Sequence, residues 1–163
     1  MYKILVVDDE SIEREGISFL IEKYKFPLEV AQATNGKTAL EYMRTHPIDI
    51  LLTDVKMPQM DGLELARHTF EKYPDVRILV FSAYGEFEFA KKAMAAQAVS
   101  YLLKPIEVDE FQRVMTQIIA QCDELSEKKK DEQQRDEEVR QQLLFRLVTG
   151  TGLGKARISD NLF

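Results

Sequence analysis

Five times in the first 125 residues a short apolar run gives way to a longer segment of helical period. That strict alternation limits the folds open to the chain more than any other feature. The runs are KILVVD (3–8), LEVAQAT (28–34), IDILLTD (48–54), VRILVFSA (76–83) and VSYLL (99–103). They are rich in β-branched residues and too short for helices, so they read as buried strands, with 28–34 the least apolar and nearest an edge. Helical segments follow each run. Ser11 is placed to cap a helix in which Ile12, Gly16, Phe19 and Leu20 fall near one face. Asn35-Gly36 is a turn signal before a helix over 37–45, which Pro47 stops. Pro58 and Gly62 break the chain ahead of a helix from about 63 to 73, and further helices are predicted over 85–97 and from 107 onward. Strand–helix units in this order predict an α/β fold, a parallel sheet covered on both faces and joined by right-handed crossovers.

The last third follows another rule. SEKKKDEQQRDEE (126–138) holds no apolar residue, and VRQQLLFRLVTG (139–150) is amphipathic again. A charged stretch of this kind is commonly a solvated linker. The alternative is one continuous helix: positions 111, 118, 125, 132, 139 and 115, 122, 129, 136, 143 keep heptad spacing, apolar at both ends of the seam and charged in its middle. Such a seam is at most a weak coiled coil.

A net charge of −6 argues against a nucleic-acid binder that relies on a basic surface, though not against a chain that works beside one. Cys122 is the single cysteine, too few for a disulfide framework, and it reads as structural in a reducing compartment. No stretch approaches the roughly 20 apolar residues of a membrane span. The N-terminus lacks a secretory pattern, so the expected location is cytoplasmic.

In an open parallel sheet, ligands bind beyond the carboxyl ends of the strands. Here those ends carry Asp8 and Asp9, then Asp54, then Ser82, then Lys104. An aspartate after a strand is ordinarily a turn or cap residue; four segments delivering polar groups to one rim call for a chemical reason. Carboxylates drawn together raise one another's pKa unless a cation offsets them. Mg²⁺ is the fitting cation, because it takes hard oxygen ligands and needs only one or two carboxylates. Zinc has no Cys/His cluster to hold it, since His46 and His68 stand far apart in sequence. A carboxylate beside Mg²⁺ and a lysine is a nucleophile aimed at phosphorus, which makes Asp54 the candidate acceptor and Ser82 a donor to the bound phosphate.

ILVVDDE, LLTDVKMPQMDG, FSA and YLLKP, in this order and spacing, closely resemble the receiver domain of bacterial two-component response regulators over residues 1 to about 125. The resemblance implies a flavodoxin-like, doubly wound sheet of order 2-1-3-4-5 with an extended C-terminal helix. It implies that Asp54 takes phosphate from a sensor histidine kinase. Asp8 and Asp9 match the acids that hold Mg²⁺, completed by Asp54 and the backbone carbonyl of Lys56. Ser82 matches the switch hydroxyl, Lys104 the phosphate-binding lysine, Tyr101 the aromatic that rotates between states, and Pro105 a proline expected to be cis. Ala83 is small, as entry of a phosphodonor requires. The stretch from Ser82 to Phe111 is similar to receivers joined to an AraC-type helix-turn-helix output, yet no basic two-helix reader follows residue 125. DNA would then be reached only through an output outside this chain. Homodimerisation is expected through the face of the fourth helix, fifth strand and fifth helix, through the helix over 107–147, or through both. The domains so defined are a receiver over 1–125 and a charged linker, possible coiled coil and flexible tail over 126–163.

Two rival readings use the same residues. A Mg²⁺-dependent phosphatase would turn over an aspartyl-phosphate intermediate, but those enzymes place the nucleophile in a D-x-D arrangement after the first strand, and Asp8 and Asp9 are adjacent. The resemblance favours a phosphoacceptor that takes part in its own phosphotransfer and dephosphorylation over such an enzyme. A pure scaffold would dimerise regardless of phosphate. Among the remaining residues, Glu10 reads as a helix-start charge, and Met57 and Met60 as loop packing. GTGLGK (150–155) lacks the spacing and the hydroxyl of a phosphate-binding loop, since Ala156 follows the lysine.

Overall fold

A computed structural model describes residues 1–95, 97 and 99–150. Five strands, β1 (Tyr2–Val7), β2 (Leu28–Ala33), β3 (Ile50–Asp54), β4 (Arg77–Ala83) and β5 (Val99–Lys104), alternate with five helices. The helices are α1 (Ser11–Lys23), α2 (Gly36–Thr45), α3 (Gly62–Lys72), α4 (Tyr84–Ala93) and α5 (Val108–Thr149). All pairings are parallel and the strand order is β2-β1-β3-β4-β5, the doubly wound, flavodoxin-like arrangement. The least apolar run, β2, is an edge.

Because successive strand residues face opposite sides, each strand feeds two cores. Ile4, Val6, Ile50, Leu52, Leu79, Phe81 and Leu102 meet α1 and α5 on one face. Leu5, Val7 and Leu51 meet α2 and α3 on the other, and Ile78 and Val80 meet α3 and α4. On the first face Phe111 of α5 is fully buried and takes the edge of Phe26 at 6.0 Å between ring centres. Cys122 is packed in the same core.

α1 departs from its expected orientation. Its buried residues are Ile17 and Ile21, while Ile12 and Phe19 are 73% and 61% exposed. The helix carries apolar residues on two sides, and the pocket beneath β1 and β2 chose between them. Ser11 is not the cap either. Glu10 holds that position without a side-chain bond, and its N–H is satisfied instead by the Asp8 carboxylate at 2.9 Å. At α2 the turn signal becomes a cap: Asn35 Oδ1 accepts from the Thr38 N–H at 2.8 Å, and Thr38 returns a bond to Asn35. α4 ends at Ala93, earlier than its run of helix formers predicts, because the chain must reverse to enter β5 at Val99.

The charged stretch 126–138 is helical within α5, a single helix of 42 residues. No glycine or proline interrupts it, and Glu, Lys, Gln and Arg all favour the conformation. Pairs one turn apart add local support, as where Gln134 donates to Glu138 and Gln141 to Glu137. The chain divides into two compact units, Met1–Cys122 and one that begins at Asp123. Gly150 follows the helix with φ 70°, and its N–H bonds to the Arg146 carbonyl at 2.9 Å. Residues 151–155 of the GTGLGK motif, with the predicted tail, lie outside the described residues. Among the described residues no helix is long and apolar enough to cross a membrane.

Candidate functional site

Strand parity assembles the site. Asp54 follows Ile50 and Leu52 on the α1/α5 face of β3, and Lys104 follows Leu102 on that face of β5. Asp8 stands one residue past β1 with the parity of Ile4 and Val6, its N–H bonded to the Ala33 carbonyl of β2. The strands therefore bring the three side chains to one lip. Carboxylate oxygens of Asp8, Asp9 and Asp54 lie within 4.8 Å of one another. Lys104 Nζ is 3.3 Å from Asp54 Oδ2 and 3.7 Å from Asp8 Oδ2, and it sits 4.4 Å from the centre of the Phe81 ring.

Backbone N–H groups fix one oxygen of each carboxylate and leave the other facing Lys104. Asp54 Oδ1 accepts from the Val55 N–H at 2.8 Å, and Asp8 Oδ1 from the Glu10 N–H. Asp8 Oδ2 is buried with no hydrogen-bond donor among the described residues. Burial pushes the Asp8 carboxyl up to about 6, and the neighbouring Asp54 charge adds to that rise against the pull of the Glu10 N–H and Lys104. Burial likewise raises Asp54 above the usual carboxylate range, against the opposing pull of Lys104. For Lys104, burial pulls the ammonium down, but Asp54 and Asp8 more than offset it and hold it above the ordinary lysine value. An undonated, buried oxygen within an all-carboxylate cluster fits a hard divalent cation.

A cleft of about 520 Å³ opens over Asp54, edged by Asp9, Lys56, Ala83, Glu86 and Lys104. Two contributors were not assigned to the site from the sequence, which marks Gly62 only as a chain breaker and Glu86 not at all. Glu86, in the first turn of α4, adds its charge to those that raise Asp54. Gly62 is the other: its N–H donates to the Val55 carbonyl at 2.8 Å, and its α-carbon closes directly on the Asp54 carbonyl. An acid in a first helical turn and a glycine after a proline-bearing loop are common features, so neither carried a local signal. Met57 is buried, and Met60 lies against Gly36 at the start of α2, so both methionines anchor the loop below the cleft.

Ser82 and Tyr101 lie on the opposite face of the sheet, in register through Val80↔Tyr101 and Ser82↔Leu103. Ser82 is buried and its Oγ has no hydrogen-bond partner among the described residues. Half-buried Tyr101 donates its hydroxyl to the Ala90 carbonyl of α4 at 3.5 Å and meets Phe87 edge-on at 6.1 Å; burial raises its pKa. The Lys104–Pro105 bond is cis. Because the Ser82 hydroxyl gives up no bond, Ser82→Ala costs under about 1 kcal/mol of stability, read as a thermal melt within a few degrees of the parent.

The family model described as the response regulator receiver domain matches residues 4–116, and the chain belongs to that family. It is 41% identical over 122 residues to the uncharacterized transcriptional regulatory protein YesN of Bacillus subtilis, covering 74% of this chain and 33% of that protein. It is 32% identical over 117 residues to an uncharacterized response regulatory protein of Staphylococcus epidermidis, covering 71% and 45%. The chain thus spans less than half the length of these curated relatives. Among solved structures, a two-component transcriptional regulator AraC from Clostridium phytofermentans aligns with TM-score 0.68 and 35% identity, over 75% of this chain and 95% of that one. The receiver domain of AraT, a response regulator from Geobacillus stearothermophilus, aligns with TM-score 0.68 and 37% identity, over 78% and 98%. Receiver domains of two-component regulators interact with histidine kinases, and the family generally binds Mg²⁺ through acidic residues.

Proposed function

We propose that the chain is a phosphorylation switch in which Asp54 takes a phosphoryl group from a sensor histidine kinase. The observation that carries this reading is the placement of Asp54: at a cleft, 3.3 Å from Lys104 and within one cluster with Asp8 and Asp9. A carboxylate oxygen of Asp54 forms a bond to phosphorus as the P–N bond of the kinase phosphohistidine breaks. The leaving imidazole keeps the electron pair and takes up a proton. Lys104 pairs with a phosphoryl oxygen, while Asp8, Asp9, Asp54 and the Lys56 carbonyl are the groups that would hold Mg²⁺. The ion would supply charge neutralisation at the phosphoryl oxygens. Hydrolysis of the acyl phosphate restores the carboxylate, which makes the chain a phosphoacceptor with a role in its own dephosphorylation.

The phosphoryl group brings nearly two negative charges. Ser82 Oγ, buried without a partner among the described residues, then donates to it, and Tyr101, whose hydroxyl bonds the Ala90 carbonyl of α4, turns in response. The changed face of α4, β5 and α5, and the helix over 107–147, carry the signal to a homodimer and to a DNA-binding output beyond the receiver. Residues 1–125 form the receiver and 126–163 the connection in this reading, and the setting is cytoplasmic. The outer face of α1 begins beside the acid pair and exposes Ile12 and Phe19, the surface we assign to the kinase.

A small phosphodonor with Mg²⁺ should label the protein at one hydroxylamine-labile site, and Asp54→Ala should abolish that label. Equal labelling of the variant and the parent would sink the assignment. An adduct that accumulates to about one phosphoryl group per chain and hydrolyses slowly compared with its formation separates the switch from a phosphatase, whose aspartyl phosphate would break down as fast as it forms.

A further inference from the structure

The loop that carries Asp8 and Asp9 is short, enters a helix without a side-chain cap, and must hold several like charges. What keeps it in place is a residue the phosphotransfer reading leaves unused. Arg14, one turn into α1, donates from Nη1 to the Asp8 backbone carbonyl at 2.7 Å and from Nε to Gln32 Oε1 at 3.1 Å. Gln32 belongs to the edge strand β2, and its Nε2 reaches Ser18 Oγ at 3.2 Å. Ser18 donates back to the Arg14 carbonyl at 2.9 Å. The circuit ties α1, β2 and the acid loop together around one guanidinium.

Every polar atom of Asp8 except one is thereby committed. Its N–H goes to Ala33, its carbonyl to Arg14, and its Oδ1 to the Glu10 N–H. Only Oδ2 lacks a hydrogen bond, with Lys104 as its ion-pair neighbour. Arg14 approaches the carbonyl rather than the carboxylates, so it orients the acids without occupying the oxygens that a cation needs. A planar fork with two donors at fixed angles suits that task, and a lysine ammonium does not reproduce it.

We propose that Arg14 is a positioning residue for the divalent-cation site: its fork fixes the Asp8 carbonyl, and through it the direction of the Asp8 and Asp9 carboxylates. This rests on the Mg²⁺ reading given under Proposed function. The fork's geometry and its charge have opposite consequences for a cation. Losing the geometry weakens binding, as partners behind metal ligands generally do. Losing a positive charge beside three acids strengthens it.

Arg14→Lys separates the two, because it keeps the charge and loses the fork. Isothermal titration of the full chain with MgCl₂ should show Arg14→Lys binding about tenfold more weakly than the parent. Gln32→Ala, an exposed edge position that leaves the fold intact, should lose a smaller factor in the same direction. The rise in melting temperature on adding Mg²⁺ should shrink in the same order. The proposal is overturned if Arg14→Lys melts lower without metal yet binds Mg²⁺ as the parent does, for the residue is then structural only. It is equally overturned if Arg14→Gln binds more tightly and Arg14→Lys is unchanged, since charge alone would then be at work. A parent chain that gives no Mg²⁺ response would instead bring down the Mg²⁺ reading itself.

Discussion

In metal-free buffer near neutral pH, Asp8→Asn should melt at a higher temperature than the parent and no longer respond to Mg²⁺. Asp8 is fully buried, and its carboxyl titrates at about 6 where an unfolded aspartate titrates near 3.9. Between those values the folded chain binds more protons than the unfolded one, so the contribution of this group to stability falls as pH rises from about 4 to about 6. Above that window the full cost of ionising a buried carboxyl remains. At about 1.4 kcal/mol for each pH unit separating the folded and unfolded titrations, the ceiling is near 3 kcal/mol, and solvent at the mouth of the cleft brings the expected gain of the variant to about 2 kcal/mol. Asparagine keeps the shape and an oxygen for the Glu10 N–H, but carries no charge for a cation. The advantage should fade as pH drops from about 6 to about 4, below which both proteins are neutral at this position. Melting curves with a chelator at several pH values check the sign, and the same curves with Mg²⁺ check the metal. A variant that melts with the parent near neutrality would mean that the site stores no such cost.

Gly62→Ala should do the reverse, lowering stability and function together. A β-carbon at Gly62 would lie 1.8 Å from the Asp54 carbonyl oxygen, 2.7 Å from its carbon and 3.0 Å from the Val55 α-carbon. All three are backbone atoms, so no flexible side chain can yield. The loop must open or α3 must withdraw, which breaks the Gly62 N–H bond to Val55 and displaces Asp54. The expected loss is about 3 kcal/mol or more, a fall of roughly 10 °C in melting temperature, with phosphodonor labelling reduced alongside. Gly16→Ala supplies the control in the same experiment. Nothing lies within 4 Å of a β-carbon there, and the position is a helix interior, so that change should add about 0.5–1 kcal/mol. Equal melting of Gly62→Ala and the parent would mean that the close approach imposes no constraint.

Much of the fold was legible because its cause is local. A buried parallel strand needs a run of apolar residues, and KILVVD or IDILLTD leave little else to form. The rim residues were legible for the same reason: once strands are placed, parity alone carries Asp54 and Lys104 to the α1/α5 face. Helix orientation was not legible. α1 has Ile12 and Phe19 on one side and Ile17 and Ile21 on another, with Leu20 packing toward the second, and periodicity by itself ranks neither. Ser11 suits a cap by type, yet the helix starts one residue earlier, with the Glu10 carbonyl already accepting the Arg14 N–H.

What the amino-acid sequence determined, then, was which segments become strands, the order in which they alternate with helices, and which polar groups stand at strand ends. These follow from side-chain chemistry acting over a few residues. The tertiary structure alone decided that Gly62 closes on Asp54, that Arg14 reaches the Asp8 carbonyl while held by the edge strand, and that Ser82 is left buried without a partner. Each of those depends on how separate strands, helices and loops pack against one another at ångström precision, and no local pattern encodes that distance.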